Sequence, residues 1–300
     1  MKQGAWKYIF GVLVLGIAAI LLGIPSSPDK NLHIIACDVG QGDAILITYE
    51  STQVLIDGGP DSKVLDCLGK YLPFWDRKIE VVILTHPQLD HYGGLIEVAR
   101  RYEIENFVAN ALDSSADAYQ ELKREISDRG IMVTNPTQST AIRYGSLYID
   151  IVHPSQSFLL QNSKSTQTTN NTDVLGSFTS NIDPNEFSIV AILSFGEFDA
   201  LFTGDLTPDV IPEVIAGGEL KDVDFIKVPH HGSKNGLTQE LIEATTPEAA
   251  VISVGKNNRF GHPHEQVLTL LKDFGVETLR TDEQGDIEIV TDGGNWWSNP

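Results

Sequence analysis

The chain has 300 residues, 41% of them apolar and 21% charged, with a formal net charge of −20. That length is enough to bury one large core or two small ones. So acidic a surface repels nucleic acid at long range, which excludes a non-specific DNA-coating protein; it does not exclude a phosphate-bearing substrate, because bound cations reverse a local field.

Lys2 and Lys7 precede an uncharged run from Tyr8 to Ile24. As a helix this run reaches about 25 Å, the short end of a membrane span. The pattern predicts a membrane anchor over residues 1–24, with a cleaved signal peptide as the alternative. Lysines ahead of the span place the rest of the chain outside the cytoplasm, at the cytoplasmic membrane or, if cleaved, secreted. Residues 25–31, "PSSPDKN", read as a linker.

From Leu32 the runs "LHIIACDV", "DAILITYE" and "QVLIDGG" predict three strands separated by glycine turns. A helix follows over 61–72. Cys37 and Cys67 sit in apolar patterns and read as small buried side chains; two cysteines allow one disulfide but no framework. "KIEVVILTH" predicts a strand, followed by a helix from Gly94 to about Tyr102 and another over 115–129. "SLYIDIV" alternates as a strand does. Residues 155–185, rich in Ser, Thr and Asn, read as a flexible insert and a candidate lid.

The strands "FSIVAILSF" and "FDALFTGD" come next, then a helix stopping at Gly217 and Gly218. The remainder alternates: strand 223–229, helix 238–245, strand 249–254, helix 264–274, strands near 277–280 and 285–290, and a tail over 293–300. Two mixed halves of this kind suit one α/β domain over 32–292, with two sheets packed face to face and helices outside.

Three apolar strands each end in histidine or aspartate: His86, Asp90 and His91 in "LTHPQLDHYGG", Asp205 in "LFTGD", and His230 and His231 in "KVPHHGS". Core packing does not require this, and strand-end loops are rigid frames for metal ligands. Lys227, Lys234, Lys256 and Arg259 make the last third locally basic. The loops "HHGSKNG" and "NNRFGH" are expected to hold phosphate oxygens through His231, Ser233, Asn258 and Arg259, with His262 as proton donor to a leaving group.

These motifs resemble the metallo-β-lactamase superfamily. Within it, "CDVGQGDAILI", "VLIDGG", "LTHPQLDHYGG", "LFTGD", "KVPHHGSKNG" and "NNRFGHPHEQVL" resemble the extracytoplasmic hydrolase domain of the ComEC competence proteins. The resemblance runs from Leu32 to Val290 and implies an αββα four-layer sandwich with a metal cleft at one edge. It implies one metal on Asp90, His91 and His230, with Asp205 bridging. At the other metal position it leaves His86, with Gln88 and Asn185 where imidazoles are usual. Asp38, Asp43 and Asp57 are expected to support the ligands from behind, and His153 is read as a strand-end residue.

An amide oxygen is a harder and weaker ligand than imidazole, so one or two divalent ions are expected, Mn²⁺ in preference to Zn²⁺. The resulting expectation is a membrane-anchored extracytoplasmic phosphodiesterase or nuclease, catalysing through Asp90, Asp205 and His262 on a nucleic acid or another phosphodiester. A separate competence channel protein is the expected partner. The alternative is a binding module for nucleic acid or a competence partner, with a degenerate metal site.

Overall fold

The computed structural model describes residues 6, 9–14, 16, 29–165 and 174–299. The chain divides into two compact units, Met1–Lys30 and Asn31–Pro300. In the first, the described residues 9–14 are helical. The rest of the anchor expected over 8–24, and most of the 25–31 linker, lie outside the described residues. Among the described residues no helix is long and apolar enough to cross a membrane. This runs against the single-pass anchor, and the membrane localisation drawn from it is corrected accordingly.

The second unit is built on two sheets. Strands β1 (Leu32–Ala36), β2 (Ile45–Tyr49), β3 (Thr52–Ile56), β4 (Lys78–Leu84), β5 (Glu103–Ala109) and β6 (Met132–Thr134) lie side by side in that order. The second sheet starts with β7 (Ala141–Tyr144) and β8 (Leu147–His153). A two-residue pair, β9 (Lys164–Ser165) and β10 (Phe178–Thr179), intervenes. The second sheet then continues through β11 (Val190–Phe195), β12 (Phe198–Phe202), β13 (Phe225–Lys227), β14 (Ala249–Ile252) and β15 (Glu277–Arg280). Finally β16 (Ile287–Thr291) and β17 (Trp296–Asn299) return to the first sheet beside β1.

Period-2 alternation explains the layering. In β4, Val81 and Ile83 face the second sheet, in a core shared with Ile149, Ala200 and Phe225. Val82 and Leu84 face outward onto the helices α1 (Val64–Tyr71), α2 (Leu89–Arg101) and α3 (Asp117–Asp128), and Ile79 joins them out of phase, where the pairing with β5 skips Glu80. The second sheet is covered in the same way by α4 (Gln156–Asn162), α5 (Ile211–Ala216), α6 (Gln239–Thr245) and α7 (Glu265–Asp273).

Several local expectations are corrected. Helix α2 starts at Leu89, well before Gly94, so Asp90 and His91 stand in its first turn. The glycines inside it are there for packing. A Cβ on Gly93 would lie 2.1 Å from the Pro60 carbonyl oxygen, and one on Gly94 2.1 Å from that of Gly58. Within 155–185, Ser155 caps α4 by accepting the Phe158 N–H at 3.0 Å, and Pro184–Phe187 form a 3₁₀ turn. The 293–300 tail carries β17, paired antiparallel with β16.

Cys37 and Cys67 form a disulfide, against the reading of two separate buried thiols, and link the end of β1 to α1. The outer face of β1 packs on α1, which brings the Cα atoms to 5.9 Å. The sequence separation of 30 makes Cys37→Ala cost about 3–4 kcal/mol through loop-closure entropy. Urea denaturation without reductant should show this loss, and reductant should bring the parent protein to the variant's midpoint. Coincident midpoints without reductant would mean that no bond forms.

Candidate metal centre

The site stands where strands of both sheets end, the edge at which α/β sheets place ligands. Past β3, Asp57 adopts a left-handed backbone, φ 60°. Its carboxylate accepts from Thr85 N at 2.8 Å, from Thr85 Oγ1 at 2.7 Å and from His91 Nδ1 at 2.7 Å. That bond fixes the His91 ring and turns Nε2 toward the cleft. Past β4, His86 Nδ1 lies 3.0 Å from Thr85 Oγ1 and 3.4 Å from Ser188 Oγ. Past β12, Asp205 donates its backbone N–H to Ser188 Oγ at 3.1 Å.

Past β13, His230 and His231 both take left-handed backbone angles, φ 53° and 54°. Such strain costs of order 1–3 kcal/mol per residue and gathers at functional sites. The turn carries His231 inward. Its Nδ1 lies 3.0 Å from the Ser253 carbonyl oxygen and 3.3 Å from Asp43 Oδ1. Its Nε2 lies 3.3 Å from Asp205 Oδ2 and 3.6 Å from Asp90 Oδ2. His91 Nε2 is also 3.3 Å from Asp205 Oδ2.

The Nε2 atoms of His86, His91 and His231 and Asp205 Oδ1 are buried with no hydrogen-bond partner among the described residues. Buried polar atoms left this way call for a ligand. Among the described residues four donor sets each fall within 4.8 Å: His86, His91 and Asp205; Asp90, His91 and His231; Asp43, Asp205 and His231; and Asp43, Asp57 and His91. The mixed imidazole and carboxylate donors fit a divalent transition ion.

Electrostatics agree. Burial opposes charge on His91 and His231. The carboxylates of Asp205 and Asp57 around His91, and of Asp205 and Asp43 around His231, outweigh it and hold both imidazoles well above the ordinary histidine range. Burial also opposes charge on Asp205, yet His231 and His91 hold its carboxyl well below the usual range. Burial, aided by His91, pushes His86 down to about 3.

The geometry gives His231 the inward position that the sequence reading gave to His230. The His230 side chain is 25% exposed and its Nε2 lies 3.9 Å from Asp205 Oδ2. Gln88 and Asn185 meet each other, Gln88 Nε2 donating to Asn185 Oδ1 at 2.6 Å. His153 lies outside the cluster, with Nε2 2.9 Å from the Glu186 carbonyl oxygen. Gln88→His breaks the amide pair and adds an imidazole near His86. Zinc affinity should then tighten by about tenfold, a typical effect of one ligand-shell change, as titration calorimetry would read.

The other candidate residues take varied places. Asp38 is exposed and accepts the Gly40 N–H, so it orients no ligand. Asn258 spends its amide inside its own loop. Its Oδ1 accepts from Phe260 N and His262 N, and its Nδ2 donates to the Gly255 and His262 carbonyls. Ser233 Oγ accepts from Asn235 N. Arg259 remains exposed and covers the Phe260 ring. Burial and the neighbouring His231, His230 and His264 push His262 down to about 4. At neutral pH it is therefore unprotonated and suited to accept a proton, not to donate one.

Lys227 stands in the expected strand, but its burial was not foreseen. Counted among the residues that make the last third locally basic, it is 1% exposed and ion-paired with Asp43. The available signal was its place as the last residue of an apolar strand.

The family profile described as Metallo-beta-lactamase superfamily matches residues 37–256. ComE operon protein 3 of Bacillus subtilis (strain 168) is 27% identical over 272 residues, covering 84% of this chain and 32% of that protein. Recombination protein 2 of Haemophilus influenzae is 24% identical over 284 residues, covering 93% of this chain and 31% of that protein. The chain thus spans about a third of the length of these relatives. The solved metallo-beta-lactamase fold protein YhfI from Bacillus subtilis aligns with a TM-score of 0.51 at 13% identity, over 89% of this chain and 100% of that one. At that identity the likeness shows the fold alone.

Proposed function

The chain belongs to the metallo-beta-lactamase superfamily, and on that premise we propose that it is a metal-dependent hydrolase of phosphodiester bonds in a nucleic acid. The observation that carries this reading is the convergence of buried, unpartnered imidazole nitrogens on Asp205. Asp90, His91, Asp205 and His231 would hold a divalent ion, with His86 beside them. Two carboxylates in this set favour Mn²⁺ over Zn²⁺. Such an ion supplies Lewis acidity at a phosphoryl oxygen and a water acidic enough to be the nucleophile near neutral pH.

The chain's own groups do the rest. Asp57 and Asp43 hold the ligand imidazoles from their Nδ1 sides. Asp90, 32% exposed, stands on the open side of the cluster. His262 lies with its ring 6.0 Å from that of His230 and is placed to take up a proton. Exposed Lys234, Lys256 and Arg259 offer cations to phosphate on an otherwise acidic protein. Relatives named for competence and recombination support DNA as substrate. A separate competence channel protein is the proposed partner, on the ComEC resemblance of the motifs.

The Gln88–Asn185 amide pair favours a second reading, a module that binds nucleic acid without cleaving it. One experiment separates the two. Chelator-treated protein is reloaded with Mn²⁺ or Zn²⁺ and assayed on bis-p-nitrophenyl phosphate and on single- and double-stranded DNA. Hydrolysis lost with chelator and restored best by Mn²⁺ is expected. DNA binding with no turnover under any divalent ion would establish the binding module instead.

A further inference from the structure

Lys227 is used by none of the chemistry above. Its Nζ pairs with Asp43 Oδ2, donates to the Gly204 carbonyl at 2.9 Å and lies 3.6 Å from Asp205 Oδ1. A buried ammonium is costly unless paired, so its placement requires this carboxylate. Asp43 in turn lies 3.3 Å from His231 Nδ1 and 3.8 Å from His91 Nδ1. With Asp205 and His231, it also belongs to a donor set tight enough to hold a cation itself. Asp43 therefore has two competing uses, as a brace behind the imidazoles or as a metal ligand. Lys227 occupies one of its oxygens and biases that choice.

We propose that Lys227 is a positioning residue acting through Asp43: an internal counter-ion that keeps Asp43 out of the metal's coordination and holds it against the Nδ1 sides of His231 and His91. The proposal rests on the metal-centre part of the reading above and is independent of the substrate. Its consequence is a moderated site. Asp43, Asp57, Asp90 and Asp205 crowd one cleft, and the ammonium offsets part of their combined pull on a cation.

The test uses Co²⁺ as probe, on the full chain and on Lys227→Met, Asp43→Asn and the double variant. Affinity is read by titration calorimetry and coordination by the visible absorption of bound Co²⁺. Lys227→Met should bind Co²⁺ about tenfold more tightly, with an altered spectrum, as Asp43 joins the ligands. In the Asp43→Asn background the same substitution should change affinity by less than about threefold, the non-additivity expected of residues acting as a unit. A lysine that only fills space would leave the spectrum unmoved. An affinity and spectrum like the parent's, or an equal effect in both backgrounds, would overturn the proposal. If Lys227→Met does not fold, the double variant, which removes both charges together, is compared with Asp43→Asn. Agreement within about threefold supports the proposal, and a larger difference overturns it. A parent protein that takes up no Co²⁺ overturns the metal centre and this proposal together. Failure of the phosphodiester reading would show separately, in the rates.

Discussion

Asp205→Asn should lower phosphodiester hydrolysis by about 10³, roughly 4 kcal/mol of transition-state stabilisation, with little change in fold. The amide is nearly isosteric, and the backbone N–H of Asp205 keeps its bond to Ser188 Oγ. What changes is charge. Asp205 Oδ2 lies 3.3 Å from the Nε2 atoms of both His91 and His231, so its negative charge is the electrostatic centre of the cluster. An asparagine there also leaves Lys227 facing one fewer carboxylate. His153→Ala is the control. That side chain is buried against Phe158 and bonded to the Glu186 carbonyl, so its loss costs stability more than rate. Rates of both variants with Mn²⁺, alongside thermal midpoints, decide the matter. An Asp205→Asn rate within tenfold of the parent would remove Asp205 from the chemistry.

The sheets were legible because strand alternation is a direct readout of burial on two faces. β1 shows it plainly: Leu32, Ile34 and Ala36 enter the inner core, while Ile35 packs toward the helices. The strand-end positions of His86, Asp90, His91 and Asp205 were legible for the same reason. Where the reading failed, the deciding contact was distant in sequence. Gly93 and Gly94 read as a helix start because local propensity cannot see the Pro60 and Gly58 carbonyls pressed against them. Cys37 and Cys67 looked independent because their proximity depends on α1 packing across β1. Asn258 looked free to hold phosphate, yet its donors and acceptors close its own loop. Lys227 counted only toward a basic segment, because its buried partner Asp43 is distant in sequence. The uncharged N-terminal run supplied a membrane signal that the described residues do not carry as a spanning helix.

The choice between His230 and His231 is the sharpest case, since adjacent identical residues carry no sequence signal to separate them. The structure does separate them. Both have left-handed backbones, so replacing either by alanine carries a similar backbone penalty, and the two variants form a controlled pair. His231 is held from behind by the Ser253 carbonyl and Asp43 and points Nε2 at Asp205 and Asp90. His230 stands partly in solvent at the mouth, its ring 6.0 Å from that of His262. His231→Ala should therefore weaken divalent-metal binding by about 10²-fold or more and lower the rate at limiting metal in proportion. His230→Ala should weaken metal binding by less than about tenfold and act instead on KM, as a group near the bound phosphate would. Metal titration and steady-state kinetics on the two variants would check both statements. The reverse order, with His230→Ala abolishing metal uptake and His231→Ala retaining it, would mean that the turn after β13 opens when the site is loaded and that His230 is the ligand.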